Sequence, residues 1–317
     1  MNTISTGRIE VPGAELYYEV RGSGPMLLIA QSGEGDARRS EDLVGHLERR
    51  FTVVTYDRRG LSRSALRDPV AAASVATHAD DVHRLLSTLT DEPVAMLGCS
   101  MGAAIGLHLA VEHPDRLHTL IAHEPVTPWL LAAADRAAQL GELAHCEQVF
   151  AERGWQAALA PMVRTLGIDP QNQDREPGVT AAPLGPERAA NFEYFLGHDF
   201  AAIRTDHLDV VALRQSPVRI VPACGQTTPQ HVFDYKAAHE LAALRGVPVV
   251  EFPGGHNGNL THPAGWAARV GETLSEIPPQ GRTLLARTRT PSFDHLPPRV
   301  AQGCGKTREG LSLMCHS

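Results

Sequence analysis

Short unbroken apolar runs alternate with stretches of helical spacing over the first 120 residues of the chain. Residues 26–30 are apolar throughout and 51–56 are apolar but for Thr52 and Thr55, which predicts strands covered on both faces, as in a parallel sheet. Residues 9–11 and 16–20 flank Pro12-Gly13 and read as an opening hairpin. Between the strands, residues 42–49 read as a helix, and residues 79–89 as a second with Val82, Leu85, Leu86 and Leu89 on one face. A third apolar run, Pro93 to Leu97, leads into a helix of small residues over 103–112, and a further strand is expected at 117–122. Strands alternating with helices predict an α/β fold with a doubly wound, mostly parallel sheet.

The rhythm changes after Glu124. Helical segments are expected at 129–146, 154–166 and 187–196, interrupted by a polar, proline-rich loop over 169–186, with no convincing strand until 218–221 and 247–252. Helices inserted between two sheet strands predict a cap that shapes a pocket at the sheet's mouth. The expected organisation is a core of residues 1–124 and 213–277, an inserted helical cap at 125–212, and a tail at 278–317. Five prolines sit among arginines and few apolar residues in that tail, which predicts disorder.

Composition narrows the function classes. The 317 residues are 43% hydrophobic but only 5% aromatic, so aliphatic and alanine packing must fill the core. A net charge of −7 gives no electrostatic footprint for nucleic acid or an anionic membrane. No run of about 18 apolar residues is present, and the first residues lack the basic-then-apolar order of a signal peptide. The five cysteines have no paired spacing, so reduced thiols and a cytoplasmic location are expected. Gly22-Ser23-Gly24 precedes its strand, which argues against a dinucleotide loop. His78 to His83 superficially resembles a metal cluster, yet Asp80 and Asp81 suit a helix's first turn, and neither metal nor cofactor is expected.

Chemistry concentrates at Gly98-Cys99-Ser100-Met101-Gly102, a G-x-S-x-G pentapeptide set between a strand and a helix. A nucleophile elbow needs that context, because the serine must occupy a strained position at a strand's end. A serine hydroxyl becomes nucleophilic only when a base takes its proton and an acid fixes the base. His256 lies in a glycine-rich loop directly after the last strong strand and is the candidate base. The acid usually follows the strand at 218–221, but there the chain reads Gly225-Gln226-Thr227-Thr228-Pro229, with no carboxylate before Asp234. Either the triad is lost or the acid comes from elsewhere. Glu124 ends the strand after the elbow helix, beside the serine's own strand, and is the candidate acid. The Met101 backbone N–H is one expected oxyanion donor, and the second is expected from Ser32 or Gly33. Tyr56-Asp57-Arg58-Arg59-Gly60 reads as a turn held by Asp57. Trp129, Trp155, Phe192, Tyr194 and Phe195 are candidate pocket residues.

Residues 8–275 resemble an α/β-hydrolase. Gly98-Cys99-Ser100, His123-Glu124-Pro125, Gly225 to Pro229, Pro253-Gly254-Gly255-His256 and Thr261-His262-Pro263 together resemble the zearalenone-lactonase type, whose triad is Ser-Glu-His. Haloalkane dehalogenases share the placement of the acid, but they and epoxide hydrolases need an aspartate where this chain has Ser100. The resemblance implies a cofactor-independent hydrolase that cleaves an ester or lactone of a bulky, largely apolar small molecule. A non-hydrolytic relative of secondary metabolism and a degenerate small-molecule receptor are the alternatives.

Overall fold

A computed structural model of the chain describes residues 4–67, 73–180 and 183–275. The expected tail at 278–317 lies outside the described residues. Nine strands form one sheet: β1 (Ser5–Val11), β2 (Ala14–Gly22), β3 (Met26–Ala30), β4 (Thr52–Tyr56), β5 (Ala65–Leu66), β6 (Val94–Cys99), β7 (Leu117–His123), β8 (Arg219–Gly225) and β9 (Val250–Phe252). Their order is β1-β2-β4-β3-β6-β7-β8-β9, with β5 pairing the edge of β2. Pairing is parallel from β4 through β9 and antiparallel where β2 meets β1, β4 and β5. The opening hairpin is longer than the apolar pattern suggests, because β1 and β2 continue through exposed polar residues. The two-residue β5 carries no pattern of its own and follows from the register of β2.

Helices α1 (Glu41–Leu47), α2 (Val75–Leu89), α3 (Met101–Glu112), α4 (Ala133–Thr165), α5 (Pro186–Tyr194), α6 (Phe200–Thr205), α7 (Val210–Gln215), α8 (Phe233–Arg245), α9 (Gly258–Thr261) and α10 (Pro263–Ser275) complete the described elements. Successive strand residues point to opposite faces, and both faces are covered. Leu28, Val54, Met96 and Leu120 join one cluster with α2, α3 and α8. Leu27, Val53, Leu97 and Ile121 join another with α1 and α10. This two-sided burial explains the unbroken apolar runs. Helix α3 is buried nearly all round, so it lacks the polar face of a surface helix. Ser74 caps α2 through a reciprocal pair with Thr77.

Between β7 and β8 the described chain has helices and no strand. The helices expected at 129–146 and 154–166 run together as α4, broken at Gly154, whose φ of 80° interrupts the helical backbone. Trp129 precedes α4, in a single turn at Pro128–Leu130.

Candidate active site

The elbow is visible in the backbone. Ser100 has φ 55° and ψ −114°, a left-handed conformation that costs a non-glycine residue about 1–3 kcal/mol. Strand β6 ends at Cys99 and α3 begins at Met101, so the surrounding sheet and helix hold Ser100 there. Its N–H donates to the His123 carbonyl at 2.9 Å. Gly102 is required by close approach, because a Cβ there would collide with the carbonyl of Ala30 on the neighbouring strand. Cys99 is buried, and burial together with the Glu124 charge pushes its thiol up to about 12, which leaves it protonated.

Glu124 is a second strained residue, with φ 44° directly after β7. Its N–H donates to the Ala223 carbonyl at 2.9 Å, and its Oε1 accepts the Gly225 N–H at 2.7 Å. The carboxylate therefore crosses the end of β8, where the sequence lacks an acid. Its Oε2 lies 2.7 Å from His256 Nδ1 in a hydrogen bond. Gly225 lets the His256 loop approach, since a Cβ there would stand 2.7 Å from the Gly254 carbonyl oxygen. Glu124 and His256 are both buried. With Nδ1 engaged, Nε2 is the ring nitrogen left to take a proton.

A further carboxylate meets the same nitrogen. Asp234 Oδ2, from the first turn of α8, lies 2.5 Å from His256 Nδ1. Asp234 is fully buried, and its 2.5 Å contact with Nδ1 is an ion pair that lacks the aligned hydrogen-bond geometry of Glu124 among the described residues. Burial alone would raise the Glu124 carboxyl, but His123 and the bonded His256 outweigh it and hold Glu124 at about 2. Burial and the Glu124 charge push Asp234 up to about 6, against the pull of His256. Burial lowers His256, yet the Asp234 and Glu124 charges overcome it and push the imidazole up to about 10. Glu124, Asp234 and His256 form a tight cluster of potential metal-ligating groups. Their 2.5–2.7 Å contacts, a hydrogen bond and an ion pair to one ring nitrogen, are shorter than the roughly 3.3 Å between two ligands on one tetrahedral zinc.

Behind the acid, His123 is fully buried between Phe252 and Trp266, with ring centroids 6.0 and 4.6 Å away. Neither of its nitrogens has a hydrogen-bond partner among the described residues, and burial lowers it to about 4, so it packs as a neutral ring.

Ser100, His256, Ser32 and Gly33 line one cavity of about 620 Å³. Met101 is fully buried at the start of α3. The Ser32–Gly33 loop is held by Arg58, which sequence reasoning left inside a turn. Arg58 Nη1 donates to the Ser32 carbonyl at 3.0 Å and Nη2 to the Gly33 carbonyl at 2.7 Å. Both carbonyls are thereby occupied from one side. Arg58 also grips Asp199 at 2.5 and 3.1 Å, and both side chains are buried. Asp57 does hold its turn, accepting from the Ala37 and Arg63 backbone N–H groups at 2.9 and 3.0 Å.

Three of the five aromatic candidates for the pocket lie elsewhere. Trp129 donates to Asp206 at 2.7 Å, Trp155 stacks on Phe192 at 6.1 Å, and Tyr194 covers Gly60 and stacks on His198. None of the three is among the cavity-lining residues, whereas Phe192 and Phe195 are.

Comparison with known proteins agrees with this architecture. Residues 25–161 match the sequence model of the alpha/beta hydrolase fold family. The chain is 35% identical to the uncharacterized hydrolase YraK of Bacillus subtilis (strain 168) over 280 residues, 86% of this chain and 97% of that one. It is 32% identical over 132 residues to a zearalenone hydrolase of Bionectria ochroleuca, 41% of this chain and 48% of that one. The crystal structure of a hydrolase from Pseudomonas aeruginosa PA01 superposes with a TM-score of 0.64 at 23% identity, over 85% of this chain and 98% of that one. With a relative of that identity matched over nearly its whole length, the chain belongs to the α/β-hydrolase-fold family.

Proposed function

We propose that this hydrolase is a serine enzyme that cleaves a carboxylic ester or lactone of a bulky, largely apolar small molecule through an acyl-enzyme. The observation carrying the reading is Ser100, strained at a strand-to-helix elbow, in one cavity with a His256 hydrogen-bonded to Glu124 at 2.7 Å. Ser100 attacks the acyl carbon while His256 Nε2 takes its proton. Glu124 fixes the Nδ1–H tautomer and balances the imidazolium, and Asp234 adds a second negative charge behind it. The Met101 N–H and one N–H from Ser32 or Gly33 bind the oxyanion, each donor supplying about 3–4 kcal/mol. His256 then protonates the leaving alcohol, and water repeats the sequence in reverse to release the acid.

The helices between β7 and β8 act as a cap in this reading. Leu159, Met162, Val163 and Phe192 give the cavity an apolar wall, which suits a bulky apolar acyl or alkoxy group. A zearalenone hydrolase among the relatives is consistent with that class of substrate. Cys99, Cys146 and Cys224 are buried free thiols, which fits a cytoplasmic setting. Among the described residues no helix is long and apolar enough to cross a membrane.

A fluorophosphonate probe tests the mechanism. Stoichiometric labelling that Ser100→Ala abolishes is expected, together with turnover of p-nitrophenyl esters that varies with acyl length. A folded protein that takes no label and turns over no ester would remove the serine reading.

A further inference from the structure

The cavity that holds Ser100 is not uniformly apolar. Beside its aliphatic wall stand Arg38, Arg39, Arg175 and Arg188, with Glu34, Glu41 and Asp42 among them. Arg188 takes both oxygens of Glu34, Nε to Oε2 at 2.6 Å and Nη2 to Oε1 at 2.8 Å. Arg38 is engaged by Asp36 and Glu187. Arg39 is left over. It sits in the Ala37–Ser40 turn, just after the loop expected to supply an oxyanion donor. Its Nε is 3.2 Å from Glu34 Oε2, yet that nitrogen is buried without a hydrogen bond. Its side chain is only 15% exposed. Burial, then the neighbouring Arg188 and Arg175 charges, lower it despite Glu34 and Asp36.

A guanidinium presents five donors in a planar fork matched to a carboxylate. Leaving a buried guanidinium short of hydrogen bonds is costly, and an incoming anion can supply them. Around Glu34 two arginines, Arg39 and Arg188, share one carboxylate. Resting on the hydrolase reading above, we propose that Arg39 is the binding site for a carboxylate carried by the substrate. The substrate class is then an ester or lactone with an apolar body, fitted to the aliphatic wall, and one carboxylate remote from the scissile bond.

Matched p-nitrophenyl monoesters of dicarboxylic acids and methyl-terminated esters of equal chain length test this. The wild type should prefer the carboxyl-terminated series in kcat/KM by about 10- to 100-fold, the range of a charge-assisted hydrogen-bonded pair. Arg39→Gln should erase most of that ratio through KM, and Arg39→Lys should restore part of it. No preference in the wild type, or a ratio unchanged in Arg39→Gln, overturns the assignment. If neither series is hydrolysed, the hydrolase reading fails on its own, and calorimetry still decides Arg39. Suberate binding at least tenfold tighter than octanoate, lost in Arg39→Gln, supports the site. Equal affinities reject it. Melting curves of each variant establish that it is folded.

Discussion

At Arg58 one buried cation meets one buried anion, and its remaining donors are used on two carbonyls. At His256 one imidazole nitrogen meets two buried carboxylates, and only one of them hydrogen-bonds to it. The first cluster is balanced. It joins the Ser32–Gly33 loop to Asp199 in the helical insertion, with His78 Nε2 3.4 Å from the other Asp199 oxygen. Burial is outweighed at Asp199 by Arg58 and His78, which hold its carboxyl below the usual carboxylate range. The second cluster carries one negative charge more than its partner can neutralise. The two carboxylates favour the protonated imidazole and raise its affinity for a proton. Balance holds the first cluster as a fixture, and imbalance at the second perturbs its titration, the mark of a candidate proton-transfer site.

The largest expected effect separates the two carboxylates within the unbalanced cluster. Glu124→Gln keeps the shape but removes both the directed bond to Nδ1 and its charge, so turnover should fall by about 10³–10⁴-fold in a folded protein. Asp234→Asn removes the 2.5 Å ion pair but leaves the Glu124 hydrogen bond, and should cost far less at its own optimum pH. Steady-state kinetics on a p-nitrophenyl ester measures both. If Asp234→Asn is the crippled variant and Glu124→Gln stays active, the roles are reversed.

The same carboxylate-to-amide change probes the balanced cluster. Asp199→Asn leaves Arg58 buried without its counter-charge, and losing one partner of a buried pair costs about 3–5 kcal/mol. Urea unfolding should register that loss. A stability within about 1 kcal/mol of wild type would mean that the carbonyls of Ser32 and Gly33 suffice to hold Arg58.

How much of this was readable in the chain follows from distance along it. The elbow was legible because strand, serine and helix are contiguous. Glu124 was legible through an absence, since no carboxylate follows β8 before Asp234, and the register of β7 beside β8 carries the acid to that vacancy. Asp234 was visible only as the next carboxylate along, because an aspartate in a helix's first turn already has an ordinary reason to be there. Arg58 was hidden for a different reason. Its partner Asp199 lies 141 residues away, and no local pattern announces such a pair. Trp129, Trp155 and Tyr194 were misplaced because helical spacing groups residues on a face without saying what that face meets. Phe192 lies on the same helix as Tyr194 and does reach the cavity.

A smaller effect sharpens the contrast through pH. The acid limb of kcat/KM reports the deprotonation of the base in the free enzyme. The two carboxylates raise His256 to about 10, so wild-type activity should keep rising into the alkaline range. Removing one nearby anion lowers the imidazole, and Asp234→Asn should move that limb toward acid by about 1–3 pH units. An unmoved limb would show that Asp234 contributes no charge to the working base.

The smallest expected effect is on stability, and here the two clusters should respond with opposite sign. Asp234 rises from 3.8 to about 6 on folding, so the folded chain binds that proton more tightly than the unfolded chain does. Stability therefore falls as pH rises through that window. His256 rises from 6.5 to about 10, so its contribution is complete below pH 6.5 and is lost on the way to about 10. Asparagine at 234 removes the first loss outright and shrinks the second, because His256 then starts from a less raised position. Asp234→Asn should thus melt at or slightly above the wild-type temperature at neutral pH, by up to about 2–4 °C for each kcal/mol relieved. The gap should widen from pH 5 to pH 9. Calorimetric melting of both proteins across that range measures it. A variant that melts well below wild type at pH 8 would show that Asp234 stabilises the fold there, and the cluster would then be a second structural lock like Arg58 and Asp199.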